Sequence, residues 1–495
     1  MTASAGVDVV VIGSGFGGAV TAARLAEGGM SVLVFERGPW WGDQALRVEP
    51  GRVREFPRGP LGIRRALRGV RWSGPDRSGS ITPYRDGLFE LNQFDQLSCL
   101  TASGVGGGSL VYTNMHVRAP APYFDRFPDE ITATDMTRYY DKVAAMQRPV
   151  PDPFPRTRTA TFDAAVASAR LGQIRHPDLA IDFAKTGTGS GAAHKPCILG
   201  SNDCTKRSLD RTYLAQAIDH GATVRALCEV TALGTNAAGG WEVRFRDHHQ
   251  GRTHTVTAAR VVVAAGTLGT LRILLTARDR HHTLPDLSPA LGHGFTPNGD
   301  RAALLHRTAD SVGSGSGPSI SSYVQMRHDD GDYLVAAAGL PLHALPLPGV
   351  ARRRLDRTMV LFAMGADAIK SEVTLDDRGA LRADTARTSA PDVYDQIDRT
   401  TAMIAHELSP RRVLINAPFG RRSRRMFTVH PLGGIPIATS RERGVVDHTG
   451  QVFDHPGLYV CDGSLLPGAP GIPPAMTIAA LAERQSDLIL ASTTP

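Results

Sequence analysis

Residues 9–38, VVVIGSGFGGAVTAARLAEGGMSVLVFERG, constrain this chain more than any other stretch. Residues 9–12 are a β-branched apolar run, which predicts a buried parallel strand. Gly13, Gly15 and Gly18 follow in G-x-G-x-x-G spacing, with Phe16 and Gly17 between them. Glycines in those places allow a tight turn, close approach of backbone to a pyrophosphate, and close helix–strand packing. Residues 19–27 predict a helix whose N-terminal amides aim at the phosphates. Gly28-Gly29 ends that helix, residues 31–35 predict a second strand, and Glu36 stands at its carboxyl end. An acid there accepts hydrogen bonds from ribose hydroxyls. The five parts fall in register and predict a dinucleotide site. They do not distinguish a nicotinamide from a flavin dinucleotide.

A chain of 495 residues suits two or three domains. Hydrophobic residues make up 42% and charged residues 21%, ordinary values for a soluble globular protein. No apolar run approaches membrane-spanning length, and residues 1–8 lead straight into the first strand with no room for a leader. A cytoplasmic protein is expected. The five cysteines form no disulfide framework, and Cys197-x6-Cys204 is poor zinc spacing, so no metal site is predicted. The net charge of +7 comes mostly from arginine, clustered at Arg64/Arg65/Arg68/Arg71, Arg352–Arg354/Arg357 and Arg421/Arg422/Arg424/Arg425. No stacking aromatics interleave these clusters, so nucleic acid is not an expected partner and a solvated surface is. An acidic carrier or a membrane surface stays open as a partner, above all for residues 61–71, where Leu61, Ile63, Leu67 and Val70 alternate with arginines and could cap a site.

Residues 39–95, rich in Pro, Gly and Arg with little periodicity, read as a surface excursion and candidate lid. In the segment 101–114, TASGVGGGSLVYTN, Gly104, Gly106, Gly107 and Gly108 let backbone lie against something flat or anionic, and no element of its own is expected there. Helices are predicted over 135–146, 161–171 and 205–221, a strand over 222–230, and a hairpin from 241–246 and 253–257. Residues 260–277 repeat the opening logic of buried strand, glycine turn (Ala265-Gly266) and helix. Residues 296–420 change character. Strands over 319–327, 332–340, 358–365 and 372–375, a hairpin to 381–383 and a helix over 391–408 predict a second domain whose sheet roofs a cavity. In FTVHPLGG, His430 lies between an apolar strand and a Pro-Gly turn, and imidazole accepts a proton near neutral pH. A strand over 458–461 ending in Asp462-Gly463, and a helix starting near Pro474, return the chain to the first sheet.

The expected fold is therefore α/β. A discontinuous Rossmann-like domain takes 1–118, 196–295 and 426–495; residues 119–195 are a connecting and substrate-domain segment; a substrate domain with a mainly antiparallel sheet roofed by helices takes 296–425. Five segments in order, VVVIGSGFGGAVTAARL, GVGGGSLVYTN, RVVVAAGTLGT, VHPLGG and LYVCDGSLLPG with TIAALAER, resemble the glucose–methanol–choline (GMC) flavoprotein oxidoreductases, closest to their bacterial cholesterol oxidase branch. The resemblance implies non-covalent FAD. It places Gly13, Gly15 and Gly18 on the pyrophosphate with Phe16 and Gly17 adjoining, and Glu36 on the adenosine ribose. Gly104, Gly106, Gly107, Gly108, Ser109, Tyr112 and Asn114 would lie along the flavin. Val230, Ala265 and Gly266 would also touch the cofactor, and Asp462, Gly463, Pro474, Met476 and Thr477 would stand near its ribityl and ring ends.

The family oxidises an alcohol by hydride transfer to flavin N5, and its HPLGG histidine, here His430, positions the hydroxyl and takes its proton. Asn114, Ala337 and Pro473 are the candidate substrate contacts. Two departures stand out: Pro473 replaces an asparagine of the branch, and residues 333–341 lack the carboxylate that its isomerising members carry. The apolar residues Leu334, Val335, Leu340, Leu342, Leu345 and Leu347 suggest a bulky, sterol-like or polycyclic secondary alcohol. Oxidation to a ketone without double-bond isomerisation is expected, with oxygen or another molecule as electron acceptor. A biosynthetic tailoring enzyme with altered or non-redox flavin chemistry is the alternative reading.

Overall fold

The strand Arg252–Val263 sets the first layer of the computed structural model, which describes residues 6–42, 51–185, 193–202, 204–236, 239–328, 331–385, 391–420, 423 and 425–492. Its first half pairs antiparallel with Trp241–Asp247. Its second half pairs parallel with Val7–Ile12 on one side and Leu458–Val460 on the other. Val32–Phe35 and then Thr223–Arg225 continue the parallel part. The hairpin strand expected at 253–257 and the buried strand expected from 260 are thus one strand. Its side chains change from mixed exposure to the fully buried Val261–Val263 where the sheet becomes covered on both faces.

The helices are α1 (Phe16–Glu27), α2 (Gly59–Arg65), α3 (Ala133–Gln147), α4 (Thr157–Ser168), α5 (Tyr213–Asp219), α6 (Thr267–Asp279), α7 (Gly349–Leu355), α8 (Pro391–Leu408) and α9 (Ala475–Ala491). The buried residues of α1 include Gly17, Gly18, Ala19, Ala22, Ala23 and Ala26, small side chains that let neighbours such as α9 approach closely. Buried Glu483 of α9 locks three helices together, accepting two bonds from Arg24 (2.7 and 2.9 Å) and one from Tyr213 (2.7 Å). On the same helix Thr477 bonds the Tyr140 hydroxyl of α3 at 2.8 Å.

A second, antiparallel sheet runs in the order Gln173–Arg175, Ile320–Met326, Tyr333–Ala338, Thr358–Gly365, Arg301–His306, Arg412–Ile415. Val324, Val335, Ala337, Leu361 and Ala363 on one face share a core with Phe162 and Val166 of α4 and Tyr394, Ile397 and Ile404 of α8. Tyr323, Leu334, Ala336 and Met364 on the other face turn toward Ile472 and Met476 of the first domain.

The largest departure from expectation lies within 39–95. Part of that excursion, residues 43–50, falls outside the described residues, as do Arg421, Arg422 and Arg424. The rest is regular structure, not a loop: Trp40–Trp41 pairs with Val53–Arg54, α2 follows, and Phe89–Gln93, Leu67–Ser73 and Ser78–Ile81 extend a sheet that continues through Leu97–Ala102 to Met426–Thr428. Its buried positions include Arg68, Glu90 and Asn92, so polar residues point inward and the usual alternation is masked. Leu67 and Val70 accordingly belong to a strand, and only Leu61 and Ile63 lie on α2. The helix expected over 205–221 is a 3-10 turn, Leu209–Arg211, followed by α5. The strand expected over 222–230 breaks at Leu227, whose φ is +56°, into Thr223–Arg225 and Cys228–Thr235. The glycine-rich segment contains one 3-10 turn, Gly107–Leu110. Among the described residues no helix is long and apolar enough to cross a membrane.

Candidate active site

The glycines of the first turn divide into those that face protein and those that face open space. A Cβ on Gly13 (φ +100°) would stand 2.2 Å from the Ala264 carbonyl oxygen, one on Gly17 1.6 Å from that of Cys461, and one on Gly18 2.1 Å from that of Gly13. Gly15 faces nothing within 4 Å, and neither do Gly108 and Gly266. The 104–108 loop lies directly across the turn, since a Cβ on Gly107 would meet Gly15 Cα at 2.6 Å. The two are stitched by Ser14, whose hydroxyl donates to Glu36 (2.7 Å) and accepts from the Gly106 amide (3.2 Å). Buried Glu36 also accepts from the amides of Ser14 (3.2 Å) and Gly38 (2.8 Å), which leaves one of its lone-pair positions for a ribose hydroxyl. The open glycine faces and the N-terminus of α1 make a cradle that fits a dinucleotide.

The other expected cofactor residues take the following places. Phe16 packs edge-on to Tyr112 at 5.6 Å. Ser109 donates to the Gly106 carbonyl and accepts from the Leu209 amide, fixing the 3-10 turn. Asn114 (φ +67°) donates to the Ala180 carbonyl. The Asp462 carboxylate is spent within the protein, accepting from Ser464 and from Thr270 of α6, while the Ala265 amide donates to the same Thr270 hydroxyl. Burial raises the Asp462 pKa. Gly463 packs between Leu432, Ile478 and Thr267, Pro474 caps α9, and Met476 and Thr477 are buried in its first turn. Val230 sits on Cys228–Thr235, two residues past Cys228, whose amide donates to the Glu36 carbonyl. One contributor was not foreseen. Buried Lys206 donates to the carbonyls of Leu110 (3.0 Å) and Tyr112 (2.7 Å), and burial pulls its pKa down to about 7. Its only sequence signal is the scarcity of lysine.

His430 reaches the site from the sheet built by the supposed excursion. Met426–Thr428 pairs parallel with Leu97–Ala102, and the chain leaves that strand directly into Val429-His430. His430 Nδ1 lies 2.9 and 3.0 Å from the two oxygens of Asp300, whose side chain is fully buried. Asp300 accepts further bonds from the Thr428 hydroxyl (2.8 Å) and the Val429 amide (2.9 Å). A carboxylate so placed assigns the proton to Nδ1 and leaves the Nε2 lone pair free. The ring of Phe362 stands edge-on to the imidazole at 6.2 Å. The imidazole side chain is 22% exposed, enough for a ligand to reach it.

Asp300 is itself held by a buried framework. Asp367 accepts from the Thr296 hydroxyl (2.6 Å) and from the amides of Gly299 (2.6 Å) and Ile369 (3.2 Å). Burial raises the Asp367 pKa to about 6. Asn298 donates to the Ile472 carbonyl at 3.2 Å, tying this loop to the start of α9. Arg301 and Asp398 form a buried two-bond ion pair at 2.9 and 2.6 Å. Asp300 and Asn298 were missed because Thr296-Pro-Asn-Gly-Asp300 has the composition of an exposed turn, and Asp367 because a lone acid just after a strand carries no pattern.

Ala337, expected on the substrate side, lies on the opposite face of the sheet, in the core with α8. Its neighbour Ala336 faces the first domain, because strand side chains alternate and a shift of one residue exchanges the faces. Pro473 is buried beside Ile472. All five cysteines are free, and no group of His, Cys, Asp or Glu among the described residues could hold a metal ion.

Two family models match the chain, the N-terminal part of GMC oxidoreductases over residues 7–295 and the C-terminal part over 370–482. A cholesterol oxidase of Mycobacterium tuberculosis is 27% identical, covering 97% of this chain and 90% of its own length. One from Acinetobacter baumannii is 26% identical, covering 98% and 95%. The solved structure of pyridoxine 4-oxidase from Mesorbium loti superposes with a TM-score of 0.67 at 16% identity, over 97% of this chain and 99% of the other, and so shares the fold. The chain belongs to the GMC oxidoreductase family and is an FAD-dependent enzyme of its alcohol oxidase and dehydrogenase class.

Proposed function

We propose that this enzyme oxidises a bulky, mostly apolar secondary alcohol to a ketone, with His430 as the general base. The observation that carries this reading is the Asp300–His430 pair, with Nδ1 committed to the carboxylate at 2.9 Å and Nε2 left to receive a proton. Bound FAD supplies the hydride acceptor. Gly13, Gly15, Gly18, Glu36 and the 104–108 loop would hold it, on the open glycine faces already described. Nε2 accepts the hydroxyl proton as the carbinol hydride departs, so charge does not accumulate on the alkoxide. Asp300 keeps the imidazole in the required tautomer and offsets the charge the ring gains. Phe362 fixes the ring from its edge.

The substrate class is supported by the apolar composition of the sheet face turned toward the first domain, where Tyr323, Leu334, Ala336 and Met364 are buried against Ile472 and Met476. Ile472 and Pro473 are buried on the other side, where an amide side chain would have offered hydrogen bonds. Moving a proton between two ring carbons needs a second base. Among the described residues that sheet face carries no carboxylate, and Asp300 is already bonded to His430. These two observations support oxidation without isomerisation. Incubation with a 5-ene-3β-hydroxysteroid tests this: the unconjugated 3-ketone is expected as the enzymatic product, and enzyme-dependent formation of the conjugated 4-en-3-one would contradict it.

A further inference from the structure

The arginine cluster at 64–71 is divided by the fold. Arg64 and Arg65 lie in the last turn of α2, whereas Arg68 and Arg71 line a cleft of about 230 Å³ with Arg85, Arg246, Thr82, Glu229 and His248. Four guanidinium groups therefore face a single carboxylate. That carboxylate is already engaged, since Glu229 accepts from His248 at 2.8 Å and pairs with Arg68 at 3.4 Å. Arg71 is partnered by Glu90 at 3.3 Å from behind the cleft. Arg85 and Arg246 make no ion pair among the described residues. Arg246 stands directly across the strand pair from Glu229 without reaching it within ion-pair distance. Arg68, with its side chain only 3% exposed, donates to the carbonyls of Arg37 and Arg85 and closes the floor. Burial and the adjacent Arg37 lower the Arg68 pKa to about 10, and burial and Arg71 do the same to Arg272.

We propose that this cleft is a binding site for a phosphate-bearing anion, separate from the His430 site. Planar guanidinium groups meet phosphate oxygens in pairs, and two of the four here are free to do so without breaking an existing ion pair. The position gives the site a neighbour: the Arg37 carbonyl that Arg68 holds belongs to the residue after Glu36, at the adenosine end of the cofactor cradle. The cleft is wider than a phosphate group alone requires, so the anion has room to carry a small organic part.

Titration calorimetry of the FAD-loaded enzyme at moderate sodium chloride tests the proposal, with inorganic phosphate and ribose 5-phosphate as probes. Saturable binding of one or both is expected, weakening as salt rises. The double variant Arg85→Ala/Arg246→Ala should bind about tenfold or more weakly, on the strength of hydrogen bonds between charged groups. Both side chains are exposed and unpaired, so flavin absorbance and the unfolding midpoint should stay at parental values. Equal affinity for the two probes identifies free phosphate as sufficient, and a clear preference for the sugar phosphate identifies a phosphate ester as the ligand. No saturable heat with either probe, or parental affinity in a folded double variant, overturns the proposal.

Discussion

The two walls of the proposed site are built by different means. The cofactor wall is made mostly of backbone: glycines without side chains, helix N-termini, and one acid at a strand end. The His430 wall is made of side chains from distant parts of the chain, with His430, Asp300, Asp367 and Phe362 arriving from four segments. Steric demand is local and leaves a spacing in the sequence. A side-chain constellation is fixed by tertiary placement and leaves almost none.

This contrast can be broken most severely at the first turn. Gly17→Ala puts a methyl 1.6 Å from the Cys461 carbonyl oxygen, so α1 cannot keep its place. The expected result is protein that is insoluble or colourless. Gly15→Ala faces open space and should fold normally yet retain FAD weakly. Flavin absorbance after gel filtration, beside circular dichroism, separates the two outcomes; a yellow, stable Gly17→Ala protein would remove the distinction.

On the other wall, His430→Ala should keep FAD bound and slow flavin reduction by roughly a hundredfold or more. A milder loss, about 10- to 100-fold, is expected for Asp300→Asn, because an amide nitrogen facing Nδ1 favours the wrong tautomer. The pH profile of flavin reduction should move with it, which a purely structural defect would not cause. A parental rate in His430→Ala, measured by anaerobic stopped flow, would mean that the base lies elsewhere, and one in Asp300→Asn that the carboxylate does not set the tautomer.

The smallest effect concerns the loop that carries Asp300. Burial raises the Asp367 pKa to about 6, whereas an unfolded chain has it near 3.9. The native state therefore binds the extra proton between these values. The associated stability is complete below about pH 3.9 and is lost as pH rises through 6. The stability advantage of the parent over Asp367→Ala should shrink by about 1 to 1.5 kcal/mol between pH 5 and 7.5. Urea unfolding of both proteins at the two pH values measures it, and a gap that widens with pH would contradict the assignment.

The same contrast explains what the sequence revealed. The α/β fold, the glycine turn with Glu36, and the return of the chain through Asp462 to the first sheet were legible, because each carries a local pattern, and the proposed base His430 was singled out from one too. The sheet within 39–95 was not, because Arg68, Glu90 and Asn92 occupy inward positions and pair there. Asp300 hid in a turn-like pentapeptide, and nothing in its neighbours indicates that it is buried under His430. Ala337 failed by one residue of strand register, which a run of three alanines cannot resolve.

The most direct test is anaerobic mixing of the purified yellow protein with a panel of sterols and other polycyclic secondary alcohols, following the oxidised-flavin absorbance. Bleaching by members of that class, with the ketone formed in step, is the predicted result; admitting air then tells an oxidase from a dehydrogenase. A flavin that stays oxidised while the alcohols remain unchanged, and that bleaches only with small polar alcohols or not at all, would contradict the account.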